Sequence, residues 1–235
     1  MLWYKGWLET RFGVLFMIAF AVFPIALILA MPHANPGPQA SAAQPEGGVQ
    51  FFALYYSIVP LFLAGSGIKT QSAQIKKGLH GSMYFTLSLP VSRFRLFATR
   101  VALGMLQTVV ILAIAPCTIW VIAIRSGARP DRQDLFLLFA FWVTLSVCAS
   151  AIYFLGVLLS VFLDDPIRGM ANMFGVVFLY GLLSKVPLLA PVNIFRAMVS
   201  PLFTRSFPWA SMGISLGVAA VLGLAALRMV QTREY

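Results

Sequence analysis

The sequence predicts an all-α integral membrane protein with six transmembrane helices and both termini cytoplasmic. Three observations carry this. Apolar residues make up 60% of the 235 residues and charged residues only 10%, against about a quarter charged in an ordinary soluble domain. Mean hydropathy is +0.88. The apolar residues also collect in six stretches near the length of about 20 that a helix needs to cross a hydrocarbon core of roughly 30 Å. So few ionic groups cannot cover a soluble globule, and lipid is the solvent the composition requires. A short cytoplasmic helix is expected between spans two and three, and a re-entrant helical hairpin between spans five and six. The whole chain, 1–235, reads as a single transmembrane domain.

Span one is residues 12–31. Its apolar core exceeds the usual 7 to 15 residues of a signal peptide, and Trp3, Trp7 and Glu9 precede it, so it reads as a retained anchor. Residues 32–49 hold His33, Asn35, Pro36, Pro38, Pro45 and Glu46 but no Lys or Arg, the composition of a flexible extracytoplasmic loop. Span two is 51–68, span three 101–124. Span four, 135–163, is longer than a crossing needs and so tilts or projects. Span five is 170–189, with Lys185 near its end. Ahead of it lie Asp164, Asp165 and Pro166. Asp165 suits a helix cap with Pro166 as the first helical residue. The two neighbouring carboxylates do not point together and form no acid–base pair. In residues 188–208, Pro191, Pro201 and Pro208 mark off apolar pieces of about ten residues, too short to span and suited either to a re-entrant or interfacial hairpin or to a partly ordered outer loop. Span six is 209–230.

Orientation follows from the basic residues. A net charge of +10 would suggest nucleic acid in a soluble chain; here it tracks the cytoplasmic leaflet. With the N-terminus inside, Lys5, Arg11, Lys69, Lys76, Lys77, Arg93, Arg95, Arg100, Arg168, Arg228 and Arg233 are cytoplasmic. The other six of the 17 Lys and Arg lie opposite. Cys117 and Cys148 fall in apolar stretches without metal or disulfide spacing and read as small buried hydrophobes.

The spans contain few polar groups. Gln107 and Thr108 lie in span three, Asn172 in span five. Ser146, Ser150 and Tyr153 share one face of span four. Gln107, Ser146, Ser150, Tyr153 and Asn172 are candidates either to line a substrate path or to lock helices together, at about 0.6 kcal/mol per hydrogen bond. Gly213 with Gly217, and Ala171 with Gly175, are small-residue pairs that suggest close helix packing. There is no GxxxxGK[ST], HExxH or GxSxG motif. His33 and His80 stand without metal-ligand company. No catalytic, cofactor-binding or metal residue is assigned, and no buried ionic relay supplies an energy source.

The polar information sits in residues 69–100, which carry six basic residues and no acidic one. Within it, residues 82–89 mix Met83, Tyr84, Phe85 and Leu87 with Thr86 and Ser88, and Pro90 ends any helix. A short helix along the membrane surface fits, either anchoring the loop or engaging a partner. The run Gly81-Ser82-Met83-Tyr84-Phe85-Thr86-Leu87-Ser88-Leu89-Pro90-Val91-Ser92-Arg93 resembles the G-T-x-x-x-L-L-S-L-P-[VI]-S-R segment between the second and third spans of type-2 ABC exporter permeases. Trp7-Leu8-Glu9-Thr10-Arg11 also looks like that family's amphipathic lead-in helix.

The resemblance implies a permease subunit of a bacterial cytoplasmic-membrane exporter. Its coupling helix would be built from Gly81 to Pro90 with Arg93, and would dock into a cleft of a separate ATP-binding subunit, two copies of which serve the transporter. ATP and Mg would be bound by that partner, with no cofactor in this chain. A second permease copy or close paralogue would complete the transporter. Where family members often carry Glu before the Gly-Thr, this chain has Lys76 and Lys77, and Ser82 replaces Thr, which implies a charge-reversed contact. The smooth apolar spans suggest an amphiphilic cargo such as a drug, lipid or lipid-linked compound. A small membrane-embedded enzyme acting on lipids and a non-transporting assembly factor are the alternative classes.

Overall fold

The computed structural model describes residues 2–30, 52–64, 93–125, 127, 131–162, 166–183 and 193–232. Among these there is no strand. The helices are α1 (Leu2–Ala30), α2 (Phe52–Ala64), α3 (Arg93–Leu112), α4 (Ile114–Arg125), α5 (Arg132–Phe162), α6 (Pro166–Leu183), α7 (Ile194–Thr204) and α8 (Trp209–Thr232). Among the described residues, four stretches are long and apolar enough to cross a membrane: Thr10–Ala30, Phe97–Arg125, Arg132–Val161 and Trp209–Thr232. At 31 residues α5 is the longest, about 46 Å at 1.5 Å per residue. Large apolar side chains cover the outside: Phe12 is 71% exposed, and α8 presents Ile214, Leu216, Val221 and Leu224. Such a surface is matched by lipid tails rather than water.

Side-chain contacts fix the helix directions. Gln107 Nε2 donates to Thr10 Oγ1 at 2.9 Å, 97 positions apart, and Arg125 Nη2 donates to the Leu29 carbonyl at 2.7 Å, 96 positions apart. A constant offset means that α1 runs parallel to α3 and α4. The Arg125 guanidinium also satisfies a last-turn carbonyl of α1, where the helix dipole favours a cation. Between these two contacts, the Tyr56 hydroxyl donates to the Ala21 carbonyl at 3.0 Å and lies 2.8 Å from Thr118 Oγ1. By contrast, α5 is antiparallel: Trp142 Nε1 donates to the Val109 carbonyl at 3.1 Å, and the Tyr153 hydroxyl to the Val101 carbonyl, also at 3.1 Å. Thr144 faces Met212 and Phe154 faces Gly223, so α8 runs parallel to α5, its most extensive packing partner.

The core gathers around α2. Tyr56, Val59, Leu61 and Leu63 are buried. The Tyr55 ring stacks on Phe20 at 4.3 Å between centroids, and Phe52 and Tyr56 continue the aromatic cluster towards Phe141 of α5. A short helix apolar all round belongs inside a bundle.

Pro24, Pro60, Pro116 and Pro201 all lie inside helices, and near two of them an aromatic donor takes a carbonyl that the ladder leaves free. Pro24 lies inside α1 and cannot donate to the Phe20 carbonyl; the Tyr55 hydroxyl does so instead, at 2.6 Å. Span three, expected over 101–124, falls within the apolar stretch Phe97–Arg125, whose helix is interrupted at Ala113. Pro116 cannot bond the Leu112 carbonyl, so the ladder breaks at Ala113 and α4 restarts with Pro116 in its first turn, where the missing N–H costs least. Ala113 N donates to the Val110 carbonyl at 3.2 Å, one residue short of helical pairing, and Trp142 takes the Val109 carbonyl thus released.

Three other expectations change. The Trp7–Arg11 segment is no separate lead-in helix: α1 is continuous from Leu2. Pro201 does not break the 188–208 region. Helix α7 runs through it, capped by Asn193 and ended by a left-handed Arg205 at φ 52°, and the chain then turns directly into α8. Its buried Phe195, Met198 and Val199 outweigh the loss of one late hydrogen bond, so the described part is one short helix and a turn rather than two helical arms. Cys148 is buried as expected, but Cys117 is exposed on α4. Pro166 does open α6; Asp165 lies outside the described residues.

Replacing Tyr55 by Phe should strip the Phe20 carbonyl of its donor and destabilise the protein by about 1 kcal/mol. In a Pro24→Ala background, the backbone N–H restored at that position can serve the carbonyl, and the same replacement should cost less than half as much. Thermal unfolding of the four variants in detergent measures this coupling; equal losses in both backgrounds would contradict the assignment.

Candidate functional site

The residues expected to form the coupling helix, Gly81, Ser82, Met83, Tyr84, Phe85, Thr86, Leu87, Ser88, Leu89 and Pro90, lie outside the described residues. Arg93 is the first residue of α3. Since Gln107 of α3 meets Thr10 of α1 and the two helices run parallel, α3 begins at the same end of the bundle as α1.

The polar span residues separate by role. Gln107 joins α3 to α1 through Thr10, while its Oε1 is buried without a described partner. Ser146 is buried on α5, also without a described partner for Oγ. Ser150 donates to the Val147 carbonyl of its own helix at 2.6 Å. Tyr153 crosses to Val101 of α3. Asn172 is exposed on α6 and meets none of the others. Four of the five thus sit where helices touch.

The glycines that allow close packing are not the ones the sequence pattern suggested. A Cβ on Gly213, Gly217 or Gly175 would meet none of the described residues within 4 Å. On Gly104 it would collide with the Tyr153 hydroxyl, and on Gly223 it would lie 3.0 Å from the Phe154 ring. Tyr153 and Phe154 are neighbours on α5 with rings at 84°. Together they key α5 into α3 on one side and α8 on the other.

An apolar groove of about 490 Å³ opens between α4 and α5. It lies beside the break in the helix at Ala113. Ala113, Pro116, Cys117, Trp120 and Val121 form one wall, and Leu135, Leu138, Phe139 and Trp142 the other. The lining offers hydrocarbon contact and one thiol, which suits an alkyl chain or aromatic body and no acid–base chemistry. Pro116, in an otherwise unbroken apolar run, was the available sequence signal. None of Gln107, Ser146, Ser150, Tyr153 and Asn172 lines this groove.

The described residues thus define a class: an all-α helix bundle whose long apolar helices suit a membrane. Compared with protein-family models and with curated proteins, the chain gives no match.

Gly104→Ala should be destabilising by about 1–3 kcal/mol through overpacking. Tyr153→Phe should relieve most of that loss by removing the colliding oxygen. Unfolding midpoints of the single and double variants test it; additive losses would contradict the packing described.

Proposed function

We propose that the chain is the membrane-spanning subunit of an ATP-driven exporter of the bacterial cytoplasmic membrane, resembling type-2 ABC permeases. It crosses the membrane six times with both termini cytoplasmic. Residues 81–90 form the coupling helix, gripped by a separate ATP-binding subunit that holds ATP and Mg. Two permease chains, identical or paralogous, work with two such subunits.

The observation that carries this reading is the shared end of α1 and α3, marked by the Thr10–Gln107 contact. If α1 leaves the cytoplasm, α3 leaves it too, and the Gly81–Arg93 run joins α3 from the inside. The chain must then return between residues 30 and 93. Only the apolar stretch around α2 is suited to that passage; α2 itself covers about 20 Å, and the apolar sequence of 51–68 extends it. Likewise, the parallel course of α5 and α8 requires a return between them, for which α6, with 18 residues, is suited. α7 is too short to cross and stays at the far side as a re-entrant element. Met83, Phe85 and Leu87 supply the apolar knobs by which a motor moves the helices. The groove between α4 and α5 supports an apolar or amphiphilic cargo.

Affinity purification of the chain from its native membrane should bring down an ATPase with a P-loop. Phe85→Asp or Leu87→Asp should reduce that recovery at least about tenfold, an apolar anchor's worth of binding energy, with the permease level unchanged. ATPase recovery untouched by both replacements would overturn the assignment.

A further inference from the structure

We propose that the end of the bundle opposite the N-terminus holds a site for the phosphate of an anionic phospholipid, formed by Arg132 and Arg205 above an apolar floor. A cavity of about 350 Å³ opens between the start of α5 and the end of α7, lined by Arg132, Gln133, Phe136, Leu137 and Arg205. Arg132 and Arg205 come from elements far apart in sequence and line one space. Neither is paired with a described carboxylate.

The nearest acids are committed elsewhere. Asp131 Oδ1 accepts from Arg132 N at 2.6 Å, and Asp134 Oδ2 accepts from Asp131 N at 2.9 Å. Both carboxylates thus cap the start of α5. At about 100° per residue they also lie away from the face that carries positions 132, 133, 136 and 137, and neither lines the cavity. The cavity is therefore basic, and guanidinium forks match phosphate oxygens in both charge and geometry.

Two further features argue for a phosphate carried on a lipid. Phe136 meets Phe207 edge-on at 6.2 Å, and Phe207 meets Trp209 at 5.2 Å; Trp209 is 72% exposed and Phe203 is exposed beside them in sequence. Exposed aromatics at helix ends mark the headgroup level of a bilayer. The exposed apolar side chains of α8 begin about one turn past Trp209, with Ile214 and Leu216, and offer acyl chains a wall. The orientation rule gives no reason for arginines on this face, which carries the minority of the basic residues. Arg205 in addition occupies a left-handed helix-ending position, φ 52°, where glycine is ordinary. Its backbone N–H bonds the Pro201 carbonyl at 3.2 Å, which fixes the point from which the side chain leaves. This site is independent of the exporter reading, since it needs only a membrane.

The test uses the full chain in detergent, with native mass spectrometry and thermal shift as readouts. Probes are phosphatidylglycerol, phosphatidylcholine and glycerol 3-phosphate. Phosphatidylglycerol should bind at least about fivefold more tightly than phosphatidylcholine, and Arg132→Gln with Arg205→Gln should weaken it about tenfold. Arg228→Gln, at the other end of α8, should leave it unchanged. Equal binding of the two lipids by the unaltered protein would overturn the proposal without any variant. So would a double variant that retains full selectivity. Glycerol 3-phosphate binding as tightly as phosphatidylglycerol would show that the headgroup alone suffices, and would overturn the lipid assignment.

Discussion

A carbonyl that proline deprives of its donor has no water to turn to in hydrocarbon, and leaving it bare costs several kcal/mol. Helix α1 contains Pro24 and the third span contains Pro116. Close to each, an aromatic donor from a neighbouring helix takes a free carbonyl. Tyr55 reaches from α2 to the Phe20 carbonyl, and Trp142 reaches from α5 to Val109 where the third span breaks. Each donor brings a ring that packs, Tyr55 on Phe20 and Trp142 against Phe139. Between lipid-bathed helices there is little hydrophobic drive to associate, so such paired hydrogen bonds and ring contacts carry the specificity.

Those contacts also order the bundle. Tyr55 and Tyr56 hold α2 against α1, Thr118 ties Tyr56 to α4, and α4 returns to α1 through Arg125 and Leu29. One shared register thus runs from Thr10 to Leu29. The other half is built on α5, keyed by Tyr153 over Gly104 and Phe154 over Gly223. A lever acting on the first turns of α3 would move against Tyr153 and, through α5, against α8. That is a physical route by which a motor bound at one end could shift helices at the other.

Composition alone made the helical, lipid-facing character legible, and the runs beginning at 135 and 209 came within a few residues of α5 and α8. The inward faces were not legible. A helix apolar on every side has no period to mark its buried stripe, so Gly213 and Gly217 looked like packing residues while Gly104 and Gly223 did not. Proline carried opposite meanings in two places. Near Pro116 the helix is interrupted at Ala113, where the apolar run read straight through. Pro201 stayed inside α7, where buried Phe195 and Met198 held the helix together. Only tertiary contacts decide between these outcomes. Arg132 and Arg205 are 73 residues apart in sequence, and no local pattern joins them.

An exporter subunit of this kind requires residues 81–90 on the cytoplasmic side of the membrane. Single cysteines at Ser82 and Ser41, in a chain with Cys117 and Cys148 replaced by Ala, can be exposed to a membrane-impermeant maleimide on intact cells. The expected result is labelling of Ser41→Cys at once and of Ser82→Cys only after the membrane is opened. Labelling of Ser82→Cys on intact cells would place the segment outside, beyond reach of any cytoplasmic ATPase, and would contradict the account.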